Sequence, residues 1–279
     1  MKEIKENIQI LITLTFINLF VFFNYYINGK IIHGIGYFLF FYFSIFVIYF
    51  YTNRFKPKNE IIVKNPNSEF KISIIFTLIG IGFIALNFYL KSLNPNLGFL
   101  IKIPILLGIL LFTYPLGIFI NLLKNKYKIT ELGIKTNPPI NIFLGFIIFG
   151  LIGFFAYIFN RDGILFQKAY EEYGGFGGIL LQGVIGAALV EEFMRFIIQS
   201  RFEKIYKLNG FHILFATVIW AFMHFPVTYF KSKETYETLI YCIQIIPIGC
   251  VWGYLTHRTK SIIPSVIVHG LNMWGIQNG

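Results

Sequence analysis

Long runs of apolar residues, separated by short polar connections, follow one another along the whole chain. Nine runs approach the roughly 20 residues that an α-helix needs to cross a lipid bilayer. Helices are expected because lipid offers no partner to free backbone groups, and the alternating pattern of barrel strands does not occur. We therefore predict an all-α, polytopic transmembrane helical bundle of about eight or nine helices. The predicted spans are 7–27, 31–52, 72–91, 99–123, 140–160, 175–200, 210–230, 237–257 and 261–277, the last short enough to be a partial span.

The composition agrees with a surface that faces lipid. The 279 residues are 56% hydrophobic and only 13% charged, whereas about 25% of the residues of a soluble domain are charged. The net charge of +11 does not indicate a nucleic-acid partner, because the Lys and Arg residues lie in the connections between apolar runs. The two cysteines, Cys242 and Cys250, do not have the number or spacing of a zinc or disulfide framework. Membrane lipid is therefore an expected partner, and nucleic acid is not.

The distribution of basic residues predicts an orientation in the membrane. Connections on the side of the N-terminus carry 16 Lys and Arg residues, and those on the other side carry 7. The positive-inside rule then places the N-terminus in the cytoplasm, and we expect a prokaryotic plasma-membrane protein. The first run is too long for the core of a signal peptide and is interpreted as a permanent span. Residues 1–279 are predicted to form a single integral membrane domain, with variable N-terminal helices over 1–174 and the polar chemistry over 175–277.

Two acids and a guanidinium interrupt the sixth predicted span. Glu191, Glu192 and Arg195 lie inside an apolar run, where each charge costs about 2.5–3.5 kcal/mol on insertion scales. Helical spacing allows both acids to reach Arg195, and Gln199 follows one turn later. Two neighbouring carboxylates in such a site suit acid–base chemistry. The alternative is a buried ion pair that only joins this helix to its neighbours.

Two histidines lie in later apolar runs, each with a polar or aromatic companion. Trp220 precedes His224 by four residues, and Pro226 follows, where it loosens the helix. His269 and Asn272 lie three residues apart in the last span and share one helical face. Each pair alone suits an interhelical hydrogen bond, but together with the acids they indicate a shared polar site. Other histidines lie near span ends and are assigned no role: His33, His212 and His257.

These residues resemble the CPBP family of intramembrane proteases, which includes the Ras-converting CAAX prenyl proteases (CAAX prenyl protease 2) and the Abi proteins. The family carries a Glu-Glu pair followed by Arg, an aromatic residue four before a His, and a His followed closely by Asn. The same order occurs here within about residues 175–277: Glu191-Glu192 with Arg195, Trp220 with His224, and His269 with Asn272. Two spacings depart from the family. Two residues rather than three separate the acid pair from Arg, and the usual Asn position is Met273.

The resemblance implies an intramembrane endopeptidase of the CAAX prenyl protease type, with residues 175–277 as its catalytic core. Glu191 would activate a water within a polar intramembrane cavity, His224 would share its proton, and His269 and Asn272 would stabilise the oxyanion. Further residues would support these four: Glu192, Arg195 and Trp220. The resemblance implies no cofactor. The implied substrate is a peptide or membrane protein, with or without an attached lipid.

Three alternatives stay open. Zinc bound by Glu191, His224 and His269 is chemically reasonable, although the His-Glu-x-x-His helix of zinc proteases is missing. A non-catalytic protein of the same fold would serve in bacteriocin immunity or as a scaffold. A proton-coupled transporter would use the acids and histidines as a conduction path, but the paired broken helices typical of transporters are not evident in the sequence.

Overall fold

The computed structural model describes residues 2–58, 60–93, 115–128, 131–159, 174–207 and 210–272. Within these ranges the chain forms helices and turns but no strand, and six segments are long and apolar enough to cross a membrane. They are Ile31–Arg54, Pro66–Leu93, Pro139–Phe159, Phe176–Tyr206, Phe211–Ser232 and Thr235–Thr259. The predicted all-α membrane bundle is confirmed, and the chain is an integral membrane protein.

The described residues up to 159 form five helices and a 3₁₀ turn. They are α1 Lys2–Ile27, α2 Ile31–Arg54, α3 Pro66–Leu93, α4 Pro115–Lys124, the 3₁₀ turn Pro139–Ile142 and α5 Phe143–Phe159. The apolar part of α1 is Leu14–Ile27. Of the predicted span 99–123, residues 99–114 lie outside the described residues. These helices match the predicted apolar runs wherever the two can be compared.

The second half of the chain supplies the helices that carry the polar motifs. They are the helical turn Phe176–Gly178, the π-helical stretch Ile179–Leu189, α6 Val190–Tyr206, α7 Phe211–Met223, α8 Phe225–Ser232, α9 Thr235–Gln244, α10 Ile246–Thr259 and α11 Ile263–Asn272. Two predicted spans are broken, at His224 and at Ile245. Pro226 and Pro247 follow these breaks, as expected of a residue that has no N–H and crowds the preceding turn. Residues 273–277 of the last predicted span lie outside the described residues.

Helix α10 lies at the centre of the bundle. The apolar stretch of Thr235–Thr259 is 67% buried, compared with 22% to 39% for the other five candidate spans. α10 packs against α2, α6, α7 and α11. The outer helices instead expose large apolar side chains, such as Phe16, Phe46 and Leu78. Extended exposed apolar surface of this kind marks a membrane-facing region, so the outer helices shield α10 and its neighbours from lipid.

A buried ion pair joins the beginning of α3 to the C-terminal half of α6. Arg201 Nε donates to Glu69 Oε2 at 2.9 Å, and both side chains are buried. The Tyr127 hydroxyl donates to the same carboxylate at 2.9 Å. Burial raises the pKa of the Tyr127 hydroxyl, so it keeps its proton and remains a donor at neutral pH. Arg201 is one of the 16 basic residues that were expected in connections on the side of the N-terminus. It lies instead inside α6, because that helix continues to Tyr206.

Candidate active site

The acidic motif lies at the beginning of α6, directly after the π-helical stretch Ile179–Leu189. π-Helical turns frequently accompany functional sites. Glu192 and Arg195 are buried, and the Glu191 side chain is 12% exposed. Neighbouring residues of a helix point about 100° apart, and the two acids accordingly accept hydrogen bonds from different neighbouring helices. Glu192 contacts α11, and Glu191 contacts α7.

Arg195 binds Glu192 in a buried ion pair within α6. Its Nη2 donates to Oε2 of Glu192, and its Nη1 donates to the Gly249 carbonyl of α10 at 2.6 Å. The guanidinium carbon lies 5.8 Å from the ring of Trp220 and 5.8 Å from the ring of Trp252, within the range of cation–π contacts. Both charges are therefore compensated inside the bundle. With the shortened spacing of this chain, the acid that Arg195 binds is Glu192.

Two glycines of α10 allow α6 and α7 to approach it closely. A Cβ on Gly249 would lie 2.6 Å from Cγ2 of Thr217 and 2.8 Å from the Trp220 ring. A Cβ on Gly253 would lie 3.2 Å from Oε1 of Gln199, whose Nε2 donates to the Gly253 carbonyl at 3.2 Å. Small residues four apart are typical of close helix contacts in membranes. The site therefore depends on the spacing of Gly249 and Gly253, which is visible in the sequence but belongs to none of the three polar motifs.

Glu191 is the point where three ring nitrogens converge. Nε1 of Trp220 donates to Oε2 of Glu191 at 2.6 Å. Nε2 of His269 lies 3.6 Å from the same oxygen, and Nε2 of His224 lies 4.0 Å from it. Glu191, His224 and His269 come from α6, the α7–α8 break and α11. The structure thus brings together three of the four residues for which a catalytic role was predicted.

His224 lies in the break between α7 and α8. Its Nδ1 is 3.0 Å from the carbonyl oxygen of Trp220. A carbonyl can only accept a hydrogen bond, so Nδ1 carries a proton, and in a neutral imidazole Nε2 then keeps its lone pair. That lone pair belongs to the atom nearest Glu191. The His224 side chain is 28% exposed, more than those of Glu191 and His269, so it lies at the open side of the site.

His269 lies between the two acids. Its Nδ1 is 2.9 Å from Oε1 of Glu192, while its Nε2 faces Glu191. The imidazole stacks on Trp252, with ring centroids 4.1 Å apart and an interplanar angle of 16°. Trp220 meets the same ring edge-on at 5.7 Å. These contacts fix the plane of the imidazole and the direction of both nitrogens. Trp252 was not predicted, because an apolar residue in an apolar helix gives no sign of such a role.

Asn272 follows His269 by about one turn of α11 and is buried. Its side-chain oxygen has no hydrogen-bond partner among the residues that the structure describes. Buried amide oxygens are normally hydrogen-bonded, so this atom suits a water or a substrate group. No hydrogen bond in the described part of the chain joins Asn272 to the three converging residues. Met273, the usual position of the family's Asn, lies outside that part.

Zinc held by Glu191 and the two site histidines was an open alternative. One ion requires that the ligand atoms lie near one another. Among the described residues, one group of histidine and acidic side chains has ligand atoms that all lie within 4.8 Å of one another. It consists of Glu203, His212 and His257. The group around Glu191 is more open than that. Its geometry is one of a carboxylate flanked by imidazoles, with Trp220 as an additional donor.

Comparisons with known proteins concern the C-terminal part of the chain. Residues 174–275 match the family model of the type II CAAX prenyl endopeptidases, Rce1-like. No curated protein and no solved structure gives a significant match. The matched range contains all three motifs, and it confirms the resemblance that they predicted. Over residues 174–275, this membrane protein is therefore similar to the Rce1-like type II CAAX prenyl endopeptidases.

Proposed function

We propose that the protein is an intramembrane endopeptidase in which Glu191 activates a water molecule. The observation that carries the proposal is the 4.0 Å separation between Oε2 of Glu191 and Nε2 of His224. This separation is too long for a direct hydrogen bond, but a water about 2.8 Å from each atom fits across it. Because Nδ1 of His224 donates a hydrogen bond to a backbone carbonyl, its Nε2 is available to share the proton of that water.

The proposed reaction is hydrolysis in two steps. The water gives a proton to Glu191 while its oxygen attacks the carbonyl carbon of the scissile peptide bond. The resulting tetrahedral intermediate carries its negative charge on the former carbonyl oxygen. The C–N bond then breaks, and the proton moves from Glu191, directly or through His224, to the leaving amine. Glu191 returns to its starting state, and a carboxylic acid and an amine leave.

His269 is the proposed donor to the oxyanion. An ionised Glu192 can only accept, so the proton between it and Nδ1 belongs to His269. A second proton on Nε2 makes an imidazolium. The positive charges of this imidazolium and of Arg195 then balance the negative charges of Glu191 and Glu192. Four charges that sum to zero cost less free energy to bury in an apolar surrounding than an unbalanced set does. A preorganised donor of this kind contributes about 2.7–4 kcal/mol to the transition state. Asn272 would add a second donor from the next turn of α11.

The proposed substrate is a peptide segment that reaches the site within the membrane. The matching family is that of the CAAX prenyl endopeptidases, so a prenylated peptide with a CAAX end is the first probe. Unlipidated membrane peptides are the second. The N-terminus is proposed to lie in the cytoplasm, on the strength of the basic connections.

The test compares the wild type with Glu191→Gln and His224→Ala. Full-length protein is reconstituted in liposomes with each probe, and cleavage products are identified by mass spectrometry. In host cells, membrane peptides that accumulate with Glu191→Gln identify natural substrates. Both variants should lose cleavage while inserting and purifying normally. Glu237→Gln, the same change at an exposed position of α9, should retain it. Cleavage by Glu191→Gln at the wild-type rate would overturn the mechanism.

The alternatives give different results in the same system. Zinc catalysis predicts that a strong chelator abolishes cleavage, whereas the glutamate mechanism predicts that cleavage continues. An immunity or scaffold role predicts that Glu191→Gln, which keeps the side-chain shape, preserves the cellular phenotype. A proton-coupled transporter predicts uptake into vesicles driven by a pH gradient.

A further inference from the structure

A second cluster of histidines and acid lies at the far end of the helices that build the site. Glu203 is near the end of α6, His212 begins α7, and His257 is in the last turn of α10. Twelve residues of α6 separate Glu203 from Glu191, which is about 18 Å at the rise of an α-helix. The cluster is therefore separate from the site around Glu191.

The three side chains face a common point. Nε2 of His212 and Nδ1 of His257 lie 3.3 Å apart and form a hydrogen bond. Oε2 of Glu203 lies 4.0 Å from the former nitrogen and 3.8 Å from the latter. The two carboxylate separations are too long for hydrogen bonds, so hydrogen bonding does not explain the position of the acid. The point in their plane that is equally far from all three atoms lies about 2.2 Å from each of them. Zn–N and Zn–O bonds measure about 2.0–2.2 Å, so an ion at this point would be at bonding distance.

We propose that Glu203, His212 and His257 bind a divalent transition-metal ion, with zinc as the occupant. Two imidazole nitrogens favour zinc and neighbouring transition metals over Mg²⁺ and Ca²⁺, which prefer oxygen ligands. Tetrahedral coordination leaves the fourth position to a water molecule. The ion carries two positive charges, of which the Glu203 carboxylate offsets one.

The burial of His212 and the freedom of Glu203 agree with such a site. His212 is 3% exposed, so its ring is held in place by the surrounding helices. The Glu203 side chain is 36% exposed and is free to move slightly toward an ion that lies above the plane of the three atoms. Two cations lie near His257, Lys260 and Arg258. Arg258 donates to Thr52 and Asn53 of α2, which directs its guanidinium toward that helix.

Bound zinc would tie together α6, α7 and α10 at one end. The other ends of these helices carry Glu191, Trp220 and Gly249, which form the proposed catalytic site. The ion would therefore act as a positioning element at a distance from the chemistry. The ion would replace the hydrogen bond between the two imidazoles, because each coordinating nitrogen needs its lone pair for the metal.

The test measures zinc binding by the full-length protein in detergent, purified with a tag that contains no histidine. After chelation and dialysis, ZnCl₂ is added, excess metal is removed, and zinc is counted by inductively coupled plasma mass spectrometry. We expect about one zinc per wild-type chain, the count for a single three-residue site. His257→Ala and Glu203→Gln should weaken binding by about 10–100-fold or more, since even outer-shell changes have effects of that size. His33→Ala and His269→Ala are the matched controls and should bind as the wild type does.

Several outcomes overturn the proposal. They are wild-type protein that retains no zinc, binding that survives both His257→Ala and Glu203→Gln, and binding that is lost only with His269→Ala. If a variant at the cluster does not fold, X-ray absorption at the zinc edge of the His269→Ala protein decides, because two imidazole ligands are expected there and a spectrum without them contradicts the site. The chelator test of the Glu191 mechanism is run in the His257→Ala variant, so the two proposals fail independently.

Discussion

Nδ1 of His269 lies 2.9 Å from Oε1 of Glu192. This contact joins α11 to α6, the helix that carries both acids. The carboxylate can only accept, so this contact decides which nitrogen of the imidazole donates toward Glu192. The other nitrogen is then directed at Glu191. Glu192 has no assigned role in making or breaking bonds, but it thus sets the direction of His269, the proposed oxyanion donor. Carboxylates that accept a hydrogen bond from a metal-bound histidine orient that ring in the same way.

Glu192→Gln should lower kcat more than it changes KM. The amide oxygen can still accept from Nδ1, but the charge that balances an imidazolium is lost. We expect kcat to fall by about 10²–10³-fold, the scale for loss of one oxyanion donor. Steady-state kinetics on the prenylated probe check this, with Glu237→Gln as the control. A raised KM with unchanged kcat would indicate a role in substrate binding instead.

Gly249→Ala should destabilise the protein and impair cleavage. The added methyl group would enter space held by Thr217 and the Trp220 ring, and overpacking of this kind costs about 1–3 kcal/mol. The matched control is Gly153→Ala in α5, where a Cβ meets no atom within 4 Å. Thermal unfolding in detergent compares the two variants. Equal melting temperatures would show that α7 and α10 adjust without cost.

The ion pair of Arg201 with Glu69 should be strongly coupled. Removal of one partner leaves a buried charge, so Arg201→Met and Glu69→Gln should each cost about 3–5 kcal/mol. The double variant leaves neither charge and should be more stable than the sum of the single effects predicts. Denaturant unfolding of the four proteins gives the coupling energy. Additive effects would mean that the two side chains act independently.

Tyr127 should make stability depend on alkaline pH. Burial raises the pKa of its hydroxyl in the folded protein, so its contribution is fully present below the unfolded value of about 10. That contribution is lost as the pH rises through the folded pKa. The stability difference between the wild type and Tyr127→Phe should therefore shrink at high pH. Tyr236→Phe, at a position that is 72% exposed, is the control, and a difference independent of pH would contradict the assignment.

The helices and the convergence of the motifs follow from local patterns in the sequence. Apolar runs of bilayer length predict the spans, and Pro226 and Pro247 explain the two breaks. The spacing of Glu191, Glu192 and Arg195 placed both acids within reach of one guanidinium. The structure selects Glu192, because Glu191 is turned toward Trp220 on another helix.

The remaining features depend on contacts between distant parts of the chain. Arg201 and Glu69 are 132 residues apart, and His212 and His257 are 45 apart. Charges and histidines near span ends are usually solvated, so a local interpretation assigns them no partner. Trp252 carries no polar signal, and its stacking on His269 requires the packing of α10 against α11. Only the Gly249–Gly253 spacing offered a sequence signal that a search for small residues finds.

The Glu192–Arg195 pair also bears on how the protein is made. Both residues belong to α6 and lie three apart, so they can form their contact in a single helix before any neighbour is present. The segment can then leave the translocon with the charge of Arg195 already neutralised. The carboxylate of Glu191 meets its partner Trp220 only when α7 arrives, whereas the partner of Arg201, Glu69, lies in α3, which precedes α6 in the chain.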